Sequence, residues 1–462
     1  MYDYPSESHM QGQTGYCEKT ILGHEASSGK ESPAGQASGT EGATSAAEGN
    51  TSRVVEPGTF KPNRHFYPQV LNAHIHPLVR YFLDLGNSRI AERCCHLHPE
   101  ALPSAVHSAL SRKMCHFQWA GADLLKVATE GGLRSLVVLE VNSCPSGQKS
   151  MPPLSEREEQ AGYRNLLERT FATMLRRRHL PLGGLAVLYD KNQTEVAGYA
   201  AVLADLTEQP VHLVPCFDGD PEPKVRFTET NVLEINAAGG GWHPIRAALR
   251  YVTQRPWNRL PLMCRTLLFN PVLVCLAGGR NKMLAAKAYD MYNSELRSGG
   301  LKIRTPETIW DVTLNEVPFW VERLGGVAVV KVPYSNAGQG VYTITSDAEL
   351  KAFLGQEHRY DRFIVQALIG NVGWSSRSRD GRLYHVGMMP TAEGEIFAAD
   401  LRFMVGSGAE GFFPVAMYAR RAPEPLAPKL TANTPSSWEM LGTNLSFRRK
   451  DGSWGTATER LL

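Results

Sequence analysis

The chain predicts an α/β (α+β) protein, and three stretches carry that prediction. Residues 120–147, AGADLLKVATEGGLRSLVVLEVNSCPSG, read as two strands closed by a glycine turn. Residues 182–192, 194–208 and 210–217 read as strand, helix and strand, a βαβ unit of the kind that builds a parallel sheet. Residues 325–346, GGVAVVKVPYSNAGQGVYTITS, read as a second hairpin around a small polar loop.

At 462 residues there is room for two or three domains and a large core. The apolar fraction of 42% and charged fraction of 21% are those of an ordinary globular protein. A formal net charge of +3 is too small to point to nucleic acid or a membrane surface. The eight cysteines form no CxxC pair, and the adjacent Cys94 and Cys95 are badly placed to bond each other. That pattern reads as free thiols in a reducing compartment. The start, MYDYPSESHMQ, lacks the basic and apolar segments of a secretory signal. Residues 259–279 are the most apolar long stretch, but Arg265, Asn270 and Pro271 interrupt it, so it reads as buried strand and not as a membrane span. A cytoplasmic protein is expected, with no nucleic-acid and no membrane partner.

Taken in order, residues 1–58 are rich in Ser, Gly, Ala, Thr and Glu and cannot bury enough surface to offset ordering entropy, so a disordered tail is expected. Residues 77–85, 99–117 and 155–178 read as helical. His74 and His76 resemble a metal-ligand pair without a third ligand and read as surface histidines. The βαβ unit carries no G-x-G-x-x-G, which argues against a dinucleotide site. Glu234-Ile235-Asn236 has no acid-bearing partner strand and reads as structural. Residues 272–279, VLVCLAGG, read as a strand and glycine turn before an amphipathic helix at 280–297 that carries Lys282 and Lys287 in its first two turns. No G-x-x-x-x-G-K-[ST] occurs, so a P-loop is excluded. Strands are predicted at 363–370, 382–389, 395–406 and 414–422.

Two hairpins hold the candidate chemistry. In the first, Asp123 lies on one strand and Glu140 on the other, with Asn142 on the same face as Glu140 because strand side chains alternate. Hard oxygen ligands on one face suit Mg²⁺, and a buried polar pair at a strand end is the other reading. In the second, Lys331 ends an apolar strand just before Ser335, Asn336, Gly338, Gln339 and Gly340. A loop of that kind can close its backbone N–H groups on an anion, and a buried lysine there needs an anionic partner. An ordinary hairpin with a solvent-facing lysine fits the same residues.

Several pieces, in cyclic order, resemble the ATP-grasp superfamily. They are Asn281-Lys282, Thr305-Pro306-Glu307-Thr308, Lys331 with Gly338 and Gly340, the hinge strand Phe363–Ile369, Asp400-Leu401-Arg402, Arg420-Arg421 and Thr443-Asn444-Leu445. The first hairpin is similar to the metal hairpin of ribosomal-protein glutamate ligases but stands near the N-terminus, so the order resembles a circularly permuted ATP-grasp protein. Gln366 stands where an acid is common in the hinge. The resemblance implies a tail at 1–58, an N-terminal part with the metal hairpin at 59–180, and an inserted Rossmann-like βαβ pre-ATP-grasp domain at 181–279. It further implies a lysine and glycine-loop subdomain at 280–370 and the rest of the C-subdomain at 371–462.

The activity so implied is an ATP- and Mg²⁺-dependent carboxylate–amine (or carboxylate–thiol) ligase working through an acylphosphate, on small-molecule or peptide substrates. A nucleotide-binding regulatory module and an ATP-dependent small-molecule phosphotransferase are the alternatives. The resemblance gives Arg402 and Lys331 catalytic roles. It gives Lys282, Lys331, Ser335, Asn336, Gly338, Gln339, Gly340, Gln366, Ile369 and Asp400 to ATP, and Asp123, Glu140 and Asn142 to the metal. Ser146-Gly147-Gln148-Lys149 reads as an anion-binding turn for substrate.

Overall fold

The computed structural model describes residues 51–151, 158–177, 179–237, 239–254, 257–335, 338, 340–431, 434–448 and 454–461. The predicted tail lies outside the described residues as far as position 50, and its end is already structured. β1 (Arg53–Val55) pairs antiparallel with a strand of the central sheet, and Phe60 and Phe66 enter the main core. Two adjacent β-branched residues, Val54 and Val55, suit that edge position.

Along the chain, β2 (Trp119–Thr129) and β3 (Arg134–Ser143) form the first predicted hairpin. The predicted helix at 155–178 is two helices, Ala161–Arg169 and Phe171–Arg177, broken at Thr170. Residues 152–157 and 178 lie outside the described residues. The βαβ unit follows as β4 (Gly184–Tyr189), the helix Gln193–Thr207 and β5 (Val211–Pro215), with β4 and β5 parallel. β6 (Val225–Phe227), β7 (Leu233–Asn236), β8 (Trp242–Tyr251) and β9 (Leu267–Phe269) complete the sheet. β8 runs parallel to β4 and β9, and antiparallel to β7.

The predicted strand at 272–279 is instead a helical turn, Val272–Val274, running into a kinked turn at Cys275–Gly279 with Gly278 at φ +121. Pro271 ends the strand before it and suits a helix start. A short apolar run does not by itself distinguish strand from buried helix. The helix Lys282–Leu296 follows, with the Asn281 side chain accepting from the Leu284 N–H at its start.

Next come β10 (Thr308–Thr313), β11 (Ala328–Lys331), β12 (Val341–Ile344) and β13 (Arg362–Gln366). They form one antiparallel sheet in the order β10-β13-β11-β12. β14 (Leu383–His385), β15 (Phe397–Gly408) and β16 (Gly411–Pro425) return to the first hairpin. β2 pairs with β3 on one edge and with β15 and β14 on the other, and β15 pairs with β16. Residues 119–143 and 383–425 therefore share a sheet, while the strands between them in sequence belong to the seven-stranded and four-stranded sheets.

The main core lies between the parallel sheet, the helices at 161–177 and 193–207, and the end of the β2–β15–β16 face around Trp119, Met404 and Tyr418. Tyr163, Tyr199 and Tyr251 are fully enclosed there, each worth roughly 1.5–3 kcal/mol of apolar transfer. Beyond Tyr418 the same face is no longer covered by the core and becomes one wall of a cleft. Among the described residues no helix is long and apolar enough to cross a membrane.

Candidate functional site

Register places the first group of side chains. Glu140 lies opposite Asp123, Asp123 opposite Arg402, and Arg402 opposite Tyr418, giving one row across β3, β2, β15 and β16. Directly paired residues project to one face. Asp123 accepts from Arg402 Nε at 2.6 Å on Oδ1 and from Arg402 Nη2 at 2.6 Å on Oδ2. Arg420 Nη2 stands 3.3 Å from the same Oδ1 and also binds Asp400, which receives Arg420 Nε at 2.9 Å. Asp400, Arg420, Asp123 and Arg402 thus form a buried chain of alternating charge. Burial pushes the Asp400 carboxyl up, against the pull of Arg420.

Of the predicted metal residues, Asp123 has both oxygens occupied by guanidinium donors, whereas Glu140 keeps 30% of its side chain exposed. Lys282 Nζ lies 3.3 Å from Glu140 Oε2, and Asn142 Nδ2 donates to Glu140 Oε1 at 3.1 Å. Burial favours the neutral acid, but Lys282 and Lys331, helped by Asn142, outweigh it and hold Glu140 well below the usual carboxylate range. Asn142 Oδ1 faces Arg280 Nη1 at 3.4 Å. Turning that amide over would bring its oxygen beside Glu140, completing a hard-oxygen pair suited to Mg²⁺.

The second wall is the face of the four-stranded sheet carrying Lys331. This lysine is buried, the first of the two readings that the hairpin left open, and donates to Gln366 Oε1 at 2.7 Å. Gln366 Nε2 in turn donates to Thr308 Oγ1 at 2.8 Å. Burial lowers the Lys331 ammonium to about 8, with Glu140 opposing that shift. Lys282 Nζ also donates to the Ser335 carbonyl at 3.1 Å, tying the base of the glycine loop to the carboxylate wall. Ser335 is buried and its hydroxyl has no hydrogen-bond partner among the described residues. Asn336 and Gln339 lie outside the described residues. Gly338 and Gly340 have φ of +77 and +66, and a Cβ on Gly338 would come within 2.5 Å of Asn444 Nδ2.

Glu140, Lys331, Gln366, Ile369, Asp400 and Asn444 line one cleft between the two walls. Ile369 packs with Leu125, Val127 and Val137, so the hinge end of the cleft is apolar. A wider opening toward the helix Lys282–Leu296 shares Glu140, Lys282, Lys331 and Gln366. A separate cavity of about 1110 Å³ lies beside the helix Ala161–Arg169 and holds none of these residues.

The anion-binding turn at Ser146–Lys149 already has an anion, supplied by the chain itself. Glu195 accepts the Gly147 N–H at 3.0 Å and the Gln148 N–H at 3.4 Å. Burial pushes its carboxyl up, opposed by Lys149 and these N–H groups. Sequence reasoning missed Glu195, although a lone acid in the apolar run Val196–Leu203 was a usable signal. It also missed Arg280, which donates to the Ser143 carbonyl at 2.9 Å. Glu234 pairs with Arg226 at 2.8 Å in another sheet, as its structural reading required. His76 caps its own helix through the Leu78 N–H. Among the described residues no group of three or more His, Cys, Asp or Glu is placed to hold a metal ion.

No family model matches the sequence, and no curated protein matches it. Solved structures are similar at a distance. A glutathione synthetase-like effector of Globodera pallida, in its apo form, has a TM-score of 0.41 at 8% identity, covering 74% of this chain and 81% of that one. A RimK-domain ATP-grasp protein of Sphaerobacter thermophilus has a TM-score of 0.30 at 14% identity, covering 50% and 89%. D-alanyl-alanine synthetase A of Vibrio cholerae has 0.27 at 13%, covering 52% and 89%.

Proposed function

We propose that the chain is an ATP- and Mg²⁺-dependent carboxylate–amine (or carboxylate–thiol) ligase with a circularly permuted ATP-grasp arrangement. The observation that carries this reading is the convergence of Lys282, Lys331 and Glu140 in one cleft, with Asn142 hydrogen-bonded to Glu140, although they come from a helix and two different sheets. Buried ammonium groups facing a carboxylate–amide pair suit a metal-bound polyphosphate better than any neutral ligand. The pairing of β2 with β15 across the intervening sheets supports the permuted order.

In this reading Lys331 and Lys282 neutralise the phosphates and Gly338 and Gly340 let the loop backbone close over them. Glu140 and Asn142 would hold Mg²⁺, which when bound supplies charge neutralisation to the phosphate oxygens. The apolar end beside Ile369 takes the base. Asp123, fixed by two guanidinium groups, sets the position of Arg402 at the edge of the cleft. A substrate carboxylate oxygen attacks the terminal phosphorus and ADP leaves. The amine then attacks the acyl carbon of the acylphosphate, inorganic phosphate leaves, and the amine proton passes to solvent. Lys149 ends the Ser146–Lys149 turn and Lys191 lies beside it; among the described residues neither has a carboxylate at ion-pair distance, and burial lowers Lys191 to about 8. They supply charge for an anionic group of the acid substrate.

One observation favours a binding module without transfer: Arg402, the expected transfer-site cation, gives Nε and Nη2 to Asp123 and Nη1 to the Ser146 carbonyl. ADP release by the purified protein, measured with ATP, Mg²⁺ and a panel of amino acids, separates the two. Amine-dependent ADP formation supports the ligase. Nucleotide binding without ADP formation in any mixture supports the module.

A further inference from the structure

The nucleoside end of the cleft contains a histidine that neither the motifs nor the proposed chemistry uses. His385 ends β14, where it lies opposite Val127 of β2. Val127 is four residues along the strand from Asp123, so His385 projects to the cleft face two rows from the Asp123–Arg402 pair, about 13 Å along the strands. The intervening row holds Leu125, opposite Asp400. The His385 N–H donates to the Gly370 carbonyl at 2.9 Å, which ties it to the residue directly after the hinge. The side chain lines the cleft together with Leu125 and Ile369.

Its hydrogen-bonding state is set locally. Nδ1 accepts the Gly387 N–H at 2.9 Å, so in the neutral ring the proton sits on Nε2. Burial lowers the imidazole to about 4, which keeps it neutral at physiological pH. Among the described residues Nε2 has no partner, and it is not sealed from solvent. Near it the wall is otherwise apolar, so a ligand acceptor meets one directed N–H donor.

We propose that His385 binds the nucleoside portion of the nucleotide, its Nε2–H donating to an acceptor on the base or the ribose. This rests on the nucleotide reading of the cleft, and it assigns a specificity-determining residue to the end opposite the phosphates. The hinge offers no acid for that purpose: Gln366 is spent on Lys331 and Thr308, and Ala367, Leu368 and Ile369 follow it.

Calorimetric titration of the full chain with ADP and, separately, with inorganic tripolyphosphate tests the assignment. His385→Phe should weaken ADP about three- to tenfold, the net value of one neutral hydrogen bond, and leave tripolyphosphate unchanged. His385→Gln, which can place an amide N–H near the same point, should stay within about twofold of the native chain. A smaller effect of His385→Phe with 2′-deoxy-ADP places the acceptor at the ribose 2′-oxygen and an equal effect places it elsewhere on the nucleoside, and either supports the assignment. Unchanged ADP affinity in a folded His385→Phe overturns it, as does a parallel loss for both ligands. A native chain that binds tripolyphosphate but not ADP also overturns it while leaving the phosphate site standing. A native chain that binds neither removes the nucleotide reading itself, and this assignment with it.

Discussion

Arg402 and Asp123 are 279 residues apart in sequence and face each other on adjacent strands, joined by two hydrogen bonds of 2.6 Å. The pair is buried, and Arg420 leans on the same carboxylate. Replacing Asp123 with Asn would leave Arg402 without a counter-charge in an enclosed site and Arg420 with Asp400 alone. The expected cost is about 3–5 kcal/mol, the range for breaking a buried pair from one side. Urea denaturation at pH 7 measures it. A loss below about 1 kcal/mol would mean that water or Asp400 takes over from Asp123.

Glu140→Gln should behave differently, because Glu140 is half-exposed and sits at the end of the charged row. Its removal takes away a hard anionic ligand while Lys282 keeps the Ser335 carbonyl. Mg²⁺-dependent turnover should fall by at least about a hundredfold while ADP binding in EDTA holds within about threefold. Equal losses in both assays would make Glu140 a partner of the lysines only.

Gly147 and Gly132 form a matched pair for backbone and packing effects. Both have positive φ, +133 and +78, but a Cβ on Gly147 would fall 2.1 Å from Tyr418 Oη, and one on Gly132 would meet nothing within 4 Å. Gly132→Ala should cost only the backbone strain, about 1–2 kcal/mol. Gly147→Ala adds overpacking of about 1–3 kcal/mol and displaces Tyr418, which donates to the Ser146 carbonyl at 2.7 Å. Thermal melts of the two variants should separate them in that order, and equal destabilisation would show that the Tyr418 contact yields freely.

What the sequence disclosed follows from how far each signal is local. The first hairpin was legible because its glycine turn and its alternating strands lie within thirty residues, and its charged residues stand on the pleat. β8 was not, although it is central to the parallel sheet, because Arg246 and Arg250 interrupt its apolar pattern. Arg250 is fully buried and satisfied by the nearby Val252 carbonyl together with groups outside the strand, the Asn270 carbonyl and Cys275 Sγ. Asp123, Asp400, Arg402 and Arg420 were all named from the sequence, but not their pairing, since the guanidinium groups reach the two carboxylates only through strand register. Glu195 was hidden because the amides it serves are 47 and 48 residues away.

Lys331 gives the most direct test of the cleft. Burial lowers its ammonium to about 8 from an ordinary 10.5, so between these values the unfolded chain holds more protons than the folded one. Its contribution to stability therefore rises with pH across that window and is flat below it. Lys191 is shifted the same way, so the comparison must be with Lys331→Met, which keeps an apolar stem without the charge. The variant should show a shallower rise in stability from about pH 8 to 10.5. Phosphates entering the cleft would restore the Lys331 charge, so ADP binding at pH 9 should take up a proton in the native chain and less in Lys331→Met. Calorimetry in two buffers of different ionisation enthalpy reads that uptake. The same substitution should weaken ADP roughly ten- to a hundredfold, the value of a charge-assisted contact. Native ADP affinity together with unchanged proton uptake in the folded variant would take Lys331 out of the phosphate site and leave it a structural partner of Gln366.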